Sequence, residues 1–340
     1  MPKLRMRQAI CQAMADEMDS DPNVILIGED IGSAGGAFKA TEGLLERFGP
    51  SRVRDTPISE MAFLGAAVGA AATGLRPVVE MMFVEFTGVA LDQLVTEAAK
   101  LRYLSRGALG CPLTLRASVG AGLGFGCQHS QILDNWFRAT PGLKVVSPSG
   151  ARTAYGLLRS AIRDPDPVVV LEPRVLYGEQ EDVELSEAGL SPIGKAEIVA
   201  RGSDVTLVAL GAMLSTALKA LDIADGAWTA DVVDLRTLVP WDRACVVESV
   251  SRTGRLVIVE EAHYSGGWGT EISDHIAGEL FGRLKAPPLR ITTPDVPVPH
   301  SESLERRFLP SPDYVVEQVT QLIQTGRRPA PWWQRQGLHP

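Results

Sequence analysis

The chain has 340 residues, of which 45% are apolar and 22% charged, and its formal net charge is −8. These values are typical of a globular protein, and the length predicts two domains. The 33 basic residues are scattered along the chain, which argues against a nucleic-acid or anionic-membrane partner. The apolar run 61–75 is too short for a membrane span, which needs about 20 residues. Four cysteines without disulfide-framework or CxxC spacing, and no export signal, predict a cytoplasmic location.

In the first half of the chain, helical segments alternate with short apolar ones. An amphipathic N-terminal helix precedes the stretch 23–30, which is predicted as a buried strand that ends in two carboxylates. Further strands are predicted at 112–117, 143–147 and 167–171, with helices between them. This alternation predicts a doubly wound α/β domain with a parallel sheet over 1–178, with ligands at the carboxyl ends of its strands.

The stretch 52–86 has the pattern strand, turn, helix, strand. Ser59 is a plausible N-cap, so Glu60 falls in the first turn of an apolar helix that runs to Gly74. Gly65 and Gly69 lie four apart on one face, which would let a second helix or a partner approach closely. A carboxylate at the mouth of such a helix is conspicuous. The alternative is that Glu60 only complements the helix dipole.

The character of the chain changes at 179–194, which is acidic and lacks apolar periodicity, so we expect a surface linker there. Strands and helices alternate again over 195–324 and predict a second, smaller α/β domain. The last segment, 325–340, is rich in Pro, Arg and Trp and is expected to be an irregular tail.

Familiar catalytic motifs are missing from the sequence. It has no P-loop, GxSxG or HExxH, and the loop 120–126 fails the GxGxxG pattern because Phe125 replaces the third glycine. The histidines never pair at metal-ligand spacing. His129 is predicted to lie where this loop ends and a helix begins, from where it could reach a cleft. A solvated loop histidine is the alternative.

Six stretches, in this order, resemble one known family: the beta subunits of thiamine-diphosphate-dependent 2-oxoacid and acetoin dehydrogenase components, which are transketolase-like. The similarity covers about residues 4–324. The stretches are DTPISE (55–60), GLRPVVEMMF (74–83), QHSQ (128–131), PGLKVVSPS (141–149), SAIRDPDPVVVLEP (160–173) and VVDLRTLVPWD (232–242).

The resemblance implies a pyrimidine-binding thiamine-diphosphate domain followed by a transketolase C-terminal-like domain. In this family a carboxylate at the position of Glu60 bonds to N1′ of the aminopyrimidine and assists removal of the thiazolium C2 proton. Phe86 matches the aromatic residue that stacks on the pyrimidine, and Met82 lies in the same pocket wall. Glu29 matches an acidic residue near the cofactor. His129 matches the histidine that faces substrate and lipoyl group and transfers protons.

A potassium site is also implied by the resemblance, with mostly backbone carbonyl ligands. The matching positions are Leu113, Ala161, Ile162, Asp164 and Asp166. The alternative for the two aspartates is a solvated turn between a helix and a strand.

The family resemblance also predicts partners. Thiamine enzymes hold Mg²⁺ and the diphosphate through a GDG sequence, and this chain has none. An alpha subunit would therefore supply the Mg²⁺ site, in an α2β2 heterotetramer with the cofactor between subunits, and a lipoyl acyltransferase core would accept the acyl group. Two departures from the family are Val89, where pyruvate-type members have Gln, and the tail after Gln324.

Three functions follow as hypotheses. The first is a dehydrogenase component that cleaves acetoin or decarboxylates a 2-oxo acid such as pyruvate and passes the acyl group to lipoamide. The second is a two-subunit transketolase-like carboligase, whose activated aldehyde goes to a carbonyl acceptor. The third is a catalytically inactive scaffold subunit, against which the presence of Glu60, Phe86 and His129 together argues.

Overall fold

The computed structural model describes residues 1–335, which form two compact units. The first unit contains residues 1–120, 136–193 and 238–240. The second contains 121–135, 194–237 and the chain from 241 onwards. The segment 121–135 therefore belongs to the second unit, although the residues before it (1–120) and after it (136–193) belong to the first unit.

The α-helices of the described residues are α1 (Met6–Ser20), α2 (Leu44–Phe48), α3 (Glu60–Ala72), α4 (Thr87–Asp92), α5 (Leu101–Leu104), α6 (Asp134–Arg138), α7 (Ala151–Arg163), α8 (Ala212–Ala224), α9 (Arg243–Thr253), α10 (Gly269–Glu279), α11 (Glu302–Phe308), α12 (Pro312–Thr325) and α13 (Trp332–Arg335). The strands are β1 (Lys3–Arg5), β2 (Val24–Gly28), β3 (Val53–Asp55), β4 (Arg76–Met81), β5 (Thr114–Val119), β6 (Lys144–Val146), β7 (Val168–Pro173), β8 (Gln180–Asp182), β9 (Glu197–Ala200), β10 (Val205–Ala209), β11 (Ala230–Asp234), β12 (Thr237–Val239), β13 (Leu256–His263) and β14 (Leu289–Thr293). Short 3-10 turns lie at Val84–Phe86, Arg174–Leu176 and Glu187–Gly189, and Gln93–Ala98 is π-helical.

The sheet of the first unit has the strand order β12-β6-β7-β5-β4-β2-β3. The pairs from β6 to β3 are all parallel. Every residue of β2, β5 and β7 is buried, as expected for strands covered on both faces. Helices α1 and α7 pack against each other, and α3 packs against α4 and the π-helical segment. The predicted doubly wound α/β fold is confirmed.

Helix α3 begins at Glu60, as predicted, and buries Phe63, Leu64 and two alanines. Ser59 stands at the N-cap position, but its hydroxyl donates to the Pro57 carbonyl instead of capping a helix N–H. A Cβ at Gly65 would lie 2.8 Å from the Gln93 side chain, so this glycine permits the close approach of the π-helical segment.

The sheet of the second unit has the order β14-β13-β10-β11-β9, in which β9 is an antiparallel edge. The β10 and β11 strands are buried throughout because α8 and α9 pack against both of them, while α12 packs on α8 and β14. The core of this unit contains valine, leucine and alanine from these elements, with Trp228 from the α8–β11 connection. Two α/β units in sequence are what the sequence predicted.

Of the segment 179–194, which the sequence predicted to be a linker, residues 179–193 belong to the first unit. Strand β8 pairs antiparallel with β1. The exposed Glu187 carboxylate accepts hydrogen bonds from Arg163 and Arg159, which hold its pKa at about 2. The acidic composition of 179–194 therefore reflects a segment whose Glu187 binds two arginines of α7.

The tail also differs from its prediction over the part that the structure describes. It ends in the helical turn α13, and Trp333 is 3% exposed and packs edge-to-face on Tyr264. Arg307 lies 4.7 Å over the Trp332 ring. Residues 336–340 lie outside the described residues. None of the described helices has the length and apolarity to cross a bilayer.

Candidate active site

The predicted cofactor residues lie at the carboxyl ends of neighbouring strands. Glu29 directly follows β2, Thr56 follows β3 and Met82 follows β4, and β2 is hydrogen-bonded to both β3 and β4. The turn after β3 leads into α3, which places Glu60 at the same end of the sheet. Because the three strands are parallel, these side chains lie together at the end of the sheet where the strands' carboxyl ends meet.

Glu29 and Glu60 are brought close together. Partial burial raises the pKa of the Glu29 carboxyl, the neighbouring Glu60 carboxylate raises it further, and the Ser59 N–H lowers it. Among residues 1–335, no hydrogen-bond partner meets the buried Glu29 Oε1 or the buried Thr56 hydroxyl. A second carboxylate beside Glu60 is unfavourable and would serve no purpose in a simple helix cap. The site therefore has acceptors available for a ligand that carries hydrogen-bond donors.

Phe86 closes the 3-10 turn after β4 and is half-buried. Its ring contacts Phe83 edge-to-face at 5.5 Å, and Phe83 contacts Phe38 in the same way at 5.6 Å. Val89, in the following α4, is 65% exposed. The Phe86 ring is thus partly exposed, and the Phe83 ring packs against it from the protein side.

Hydrogen bonds hold the backbone at Met82 in place. The Ser118 hydroxyl donates to the Met82 carbonyl, and Arg174 donates to the Ser118 hydroxyl at 3.1 Å and to the Gly120 carbonyl at 2.8 Å. The Arg174 guanidinium also lies 4.9 Å over the Phe83 ring. Arg174 therefore joins the ends of β4 and β5.

A buried ion cluster lies beneath this edge. Arg116, which is 2% exposed, makes a bidentate pair with Glu172 at 2.8 and 2.9 Å and donates to Glu80 at 2.8 Å. The Tyr177 hydroxyl donates to Glu172 at 2.8 Å. Burial raises the pKa of Glu80 even though Arg116 opposes that shift. The cluster links β4, β5 and β7 through charge-assisted bonds.

His129 lies in the second unit, in the segment 121–135, and is half-buried. Its N–H donates to the Gly126 carbonyl at 3.3 Å. The expectation that it starts a helix is wrong, because α6 begins only at Asp134. The residues between them are irregular, so His129 does not lie at a helix N-terminus.

The five predicted potassium positions converge on the connection between α7 and β7 and on the residue before β5. The carbonyl of Leu113 accepts from the Val168 N–H at 2.9 Å, and that of Ile162 accepts from Arg76 at 3.0 Å. Each carbonyl oxygen has a second lone pair available. These positions lie at the amino ends of the strands, at the opposite edge of the sheet from Glu29.

The two aspartates of that connection are already paired. Lys144 Nζ lies 2.7 Å from both Asp164 carboxylate oxygens and 3.7 Å from Asp166, which also pairs with Arg102. The solvated-turn alternative therefore describes these side chains incompletely, and a cation here would be held by carbonyls. Within residues 1–335, no group of three His, Cys, Asp or Glu side chains has metal-binding geometry.

Sequence reasoning missed the ion cluster and Arg174. A signal for the cluster was present, since Glu80, Arg116 and Glu172 are charges inside otherwise apolar strands. Arg174 gave no signal because it lies in an irregular turn.

Fold and site together define an α/β protein of the transketolase type. Residues 2–180 match the pyrimidine binding domain of transketolase, and residues 194–315 match the transketolase C-terminal domain. A solved split-gene transketolase, described as an inactive beta4 tetramer, has a TM-score of 0.77 and 23% identity over 95% of this chain and 99% of its own. At that identity the likeness shows the fold alone.

Relatives with higher sequence identity identify the family within this transketolase-type class. The pyruvate dehydrogenase E1 component subunit beta-2 of Oryza sativa subsp. japonica is 45% identical and covers 92% of this chain and 85% of its own. The acetoin:2,6-dichlorophenolindophenol oxidoreductase subunit beta of Cupriavidus necator is 43% identical, and the match covers 96% of this chain and 99% of the relative. The chain belongs to this family of thiamine-diphosphate-dependent dehydrogenase beta subunits.

Proposed function

We propose that this chain is the beta subunit of a heteromeric thiamine-diphosphate-dependent dehydrogenase component. The enzyme cleaves acetoin or decarboxylates a 2-oxo acid such as pyruvate and passes the acyl group to lipoamide. The observation that supports this proposal most is the pair of carboxylates, Glu29 and Glu60, at the carboxyl ends of β2 and β3 of a chain in this family.

Each side chain of the site has a role in this proposal. Glu60 would hold the aminopyrimidine of the cofactor at N1′ and would accept or donate the proton there. Phe86 would support the pyrimidine ring, and Met82 would form part of the pocket wall. Glu29 Oε1, for which residues 1–335 supply no donor, would accept a hydrogen bond from the cofactor. Thiamine diphosphate, when bound, supplies the electron sink for cleavage of the bond next to the carbonyl. His129 transfers a proton at the substrate or lipoyl group.

An alpha subunit completes the enzyme in this proposal. The names of the relatives describe beta subunits, which implies an alpha partner in a heteromer. We assign the diphosphate and Mg²⁺ to the alpha subunit and the assembly to an α2β2 heterotetramer that serves a lipoyl acyltransferase core. We also propose K⁺ at the carbonyls around Leu113 and Ile162. A cytoplasmic location fits the four free thiols and would be tested by cell fractionation.

Replacement of the central carboxylate tests the proposed function. The chain is co-purified with its alpha subunit, and dye reduction is followed with pyruvate, branched-chain 2-oxo acids and acetoin in the presence of thiamine diphosphate and Mg²⁺. Glu60→Gln should lower kcat at least about 10²-fold, because the proton at N1′ loses its acceptor. The substrate that is turned over fastest identifies the branch of the family.

A matched control separates this role from helix capping. Glu46 is an exposed acidic residue in the first turn of α2, so Glu46→Gln should leave kcat unchanged. If Glu60 only complements the dipole, Glu60→Gln would cost about 0.3–1 kcal/mol of stability and leave turnover intact, and the assignment would fail. A complex that consumes substrate without reducing dye or lipoamide would favour the carboligase, which at 23% identity has the support of the fold alone.

A further inference from the structure

The loop that carries His129 has an unusual backbone. Gly120, Gly122, Gly124 and Gly126 all have positive φ, and the residues between them do not. Such alternation can turn N–H groups at every second residue towards one side, as in the concave anion-binding nests of other proteins. Non-glycine residues rarely adopt these angles, which explains the glycine at every second position.

A carboxylate of the same unit occupies this nest. Glu305, on α11, accepts the Gly122 N–H at 2.8 Å through Oε1 and the Gly124 N–H at 3.0 Å through Oε2. The side chain is 3% exposed. Among residues 1–335, no basic side chain lies within ion-pair distance of it, so the loop amides are what stabilise its charge.

The start of the loop has two more contacts within the second unit. The Glu261 carboxylate accepts the Ala121 N–H at 2.6 Å. The Ala121 methyl group is buried in a small apolar cluster with Val298 and Phe308, the last residue of α11. Near the other end of the glycine run, a Cβ at Gly126 would contact the His300 ring at 3.4 Å.

We propose that Glu305 is a positioning residue, whose buried charge fixes the glycine loop and thereby the place of the His129 imidazole. The physical reason is that a flexible glycine run has a high conformational entropy, and two charge-assisted bonds from one rigid helix select a single arrangement. The proposal rests on the proposed function for the catalytic role of His129. The anchoring itself does not depend on it.

The test compares Glu305→Gln with Glu302→Gln, which makes the same change at an exposed site of α11. In Glu305→Gln one loop N–H faces a carboxamide donor, so amide hydrogen exchange over 121–130 in the free chain should accelerate about 10- to 100-fold. Modification of His129 by diethyl pyrocarbonate, with His275 as the internal reference, should accelerate in parallel. Neither rate should change in Glu302→Gln.

In the assembled enzyme, kcat of Glu305→Gln should fall about 10- to 100-fold. The affinity for thiamine diphosphate should change less than about twofold, because Glu60 and Phe86 are untouched. Glu305→Asp keeps the charge and should recover part of the loss. A purely structural role would lower stability without this split between kcat and cofactor affinity.

Unchanged exchange and His129 reactivity in Glu305→Gln would overturn the proposal, and so would faster exchange with wild-type kcat. A wild-type complex without thiamine-dependent turnover would instead contradict the proposed function. In that case exchange and His129 reactivity in the free chain still decide whether Glu305 holds the loop.

Discussion

Two carboxylates side by side, Glu29 and Glu60, dominate the electrostatics of the candidate site. Burial and the Glu60 charge both favour the protonated form of Glu29. Keeping the two carboxylates side by side at the carboxyl ends of β2 and β3 therefore lowers the free energy of unfolding. Such a cost is typical of functional sites and is unusual at a helix cap.

The pH dependence of stability should reveal this cost. A carboxyl whose native pKa is raised binds more protons in the folded than in the unfolded state, so stability falls as pH rises from the ordinary glutamate range towards the raised pKa. Glu29→Gln removes that loss and should raise the melting temperature of the free chain more at pH 8 than at pH 5. The gain should stay below about 1 kcal/mol, because solvent screens a partly exposed group. Glu46→Gln, at an exposed glutamate of α2, is the control, and equal gains at both pH values for Glu29→Gln would contradict the argument.

The proposed potassium site depends on which groups of the α7–β7 connection are free to bind a cation. Its carboxylates are balanced by Lys144 and Arg102, while its carbonyls keep lone pairs that a weakly hydrated cation can use. The site lies at the amino ends of the strands, away from Glu29. Its occupancy should therefore stabilise the first unit without entering the chemistry.

Melting in different chloride salts at equal ionic strength tests this site. K⁺ and Rb⁺ should raise the melting temperature relative to Na⁺ and N-methylglucamine. At concentrations 10 to 100 times the Kd, the bound ion should add about 1–3 kcal/mol to the free energy of unfolding. Differential scanning fluorimetry of the free chain would measure the shift. Identical melting in all four salts would leave the ion pairs with Lys144 and Arg102 as a full account of the two aspartates.

The elements that sequence predicted well are those whose burial has a simple period. Strand β7 contains an unbroken apolar run over 168–171, before Glu172, and α3 is an apolar helix that follows a turn with Pro57. The β1–β8 pair was missed because its short polar strands lie far apart in sequence. The anchor of the His129 loop was missed for the same reason, since Glu305 and Gly122 are 183 residues apart. Long-range hydrogen bonds of single side chains leave no periodic trace.

At the scale of the whole molecule, the first unit exposes apolar side chains around α3 and α4. Ile58 is 85%, Met61 57% and Val89 65% exposed. A Cβ at Gly69 would meet no atom within 4 Å, in contrast to Gly65. This face of α3 is free in the isolated chain and has the small residues that close helix packing needs, so we assign it to the alpha subunit.

Gly69→Leu should separate folding from assembly. The free chain should be as stable as the wild type or more stable by up to about 1 kcal/mol, because leucine is a better helix former and meets open space. Co-purification with the alpha subunit should be lost or strongly weakened. Gly278→Leu, at an equally open glycine of α10 in the second unit, is the matched control. Normal assembly of Gly69→Leu in size-exclusion chromatography would place the interface elsewhere.

The membership of 121–135 in the second unit bears on how this family can be recombined. A chimaera cut within 179–194 would take the glycine loop from one parent and Glu261 and Glu305 from the other. The Ala121 and Gly122 N–H groups of one parent would then meet the acceptor side chains of the other. A chimaera that preserves these contacts therefore needs the loop, Glu261 and the α11 region from the same parent, although these segments are not adjacent in the sequence.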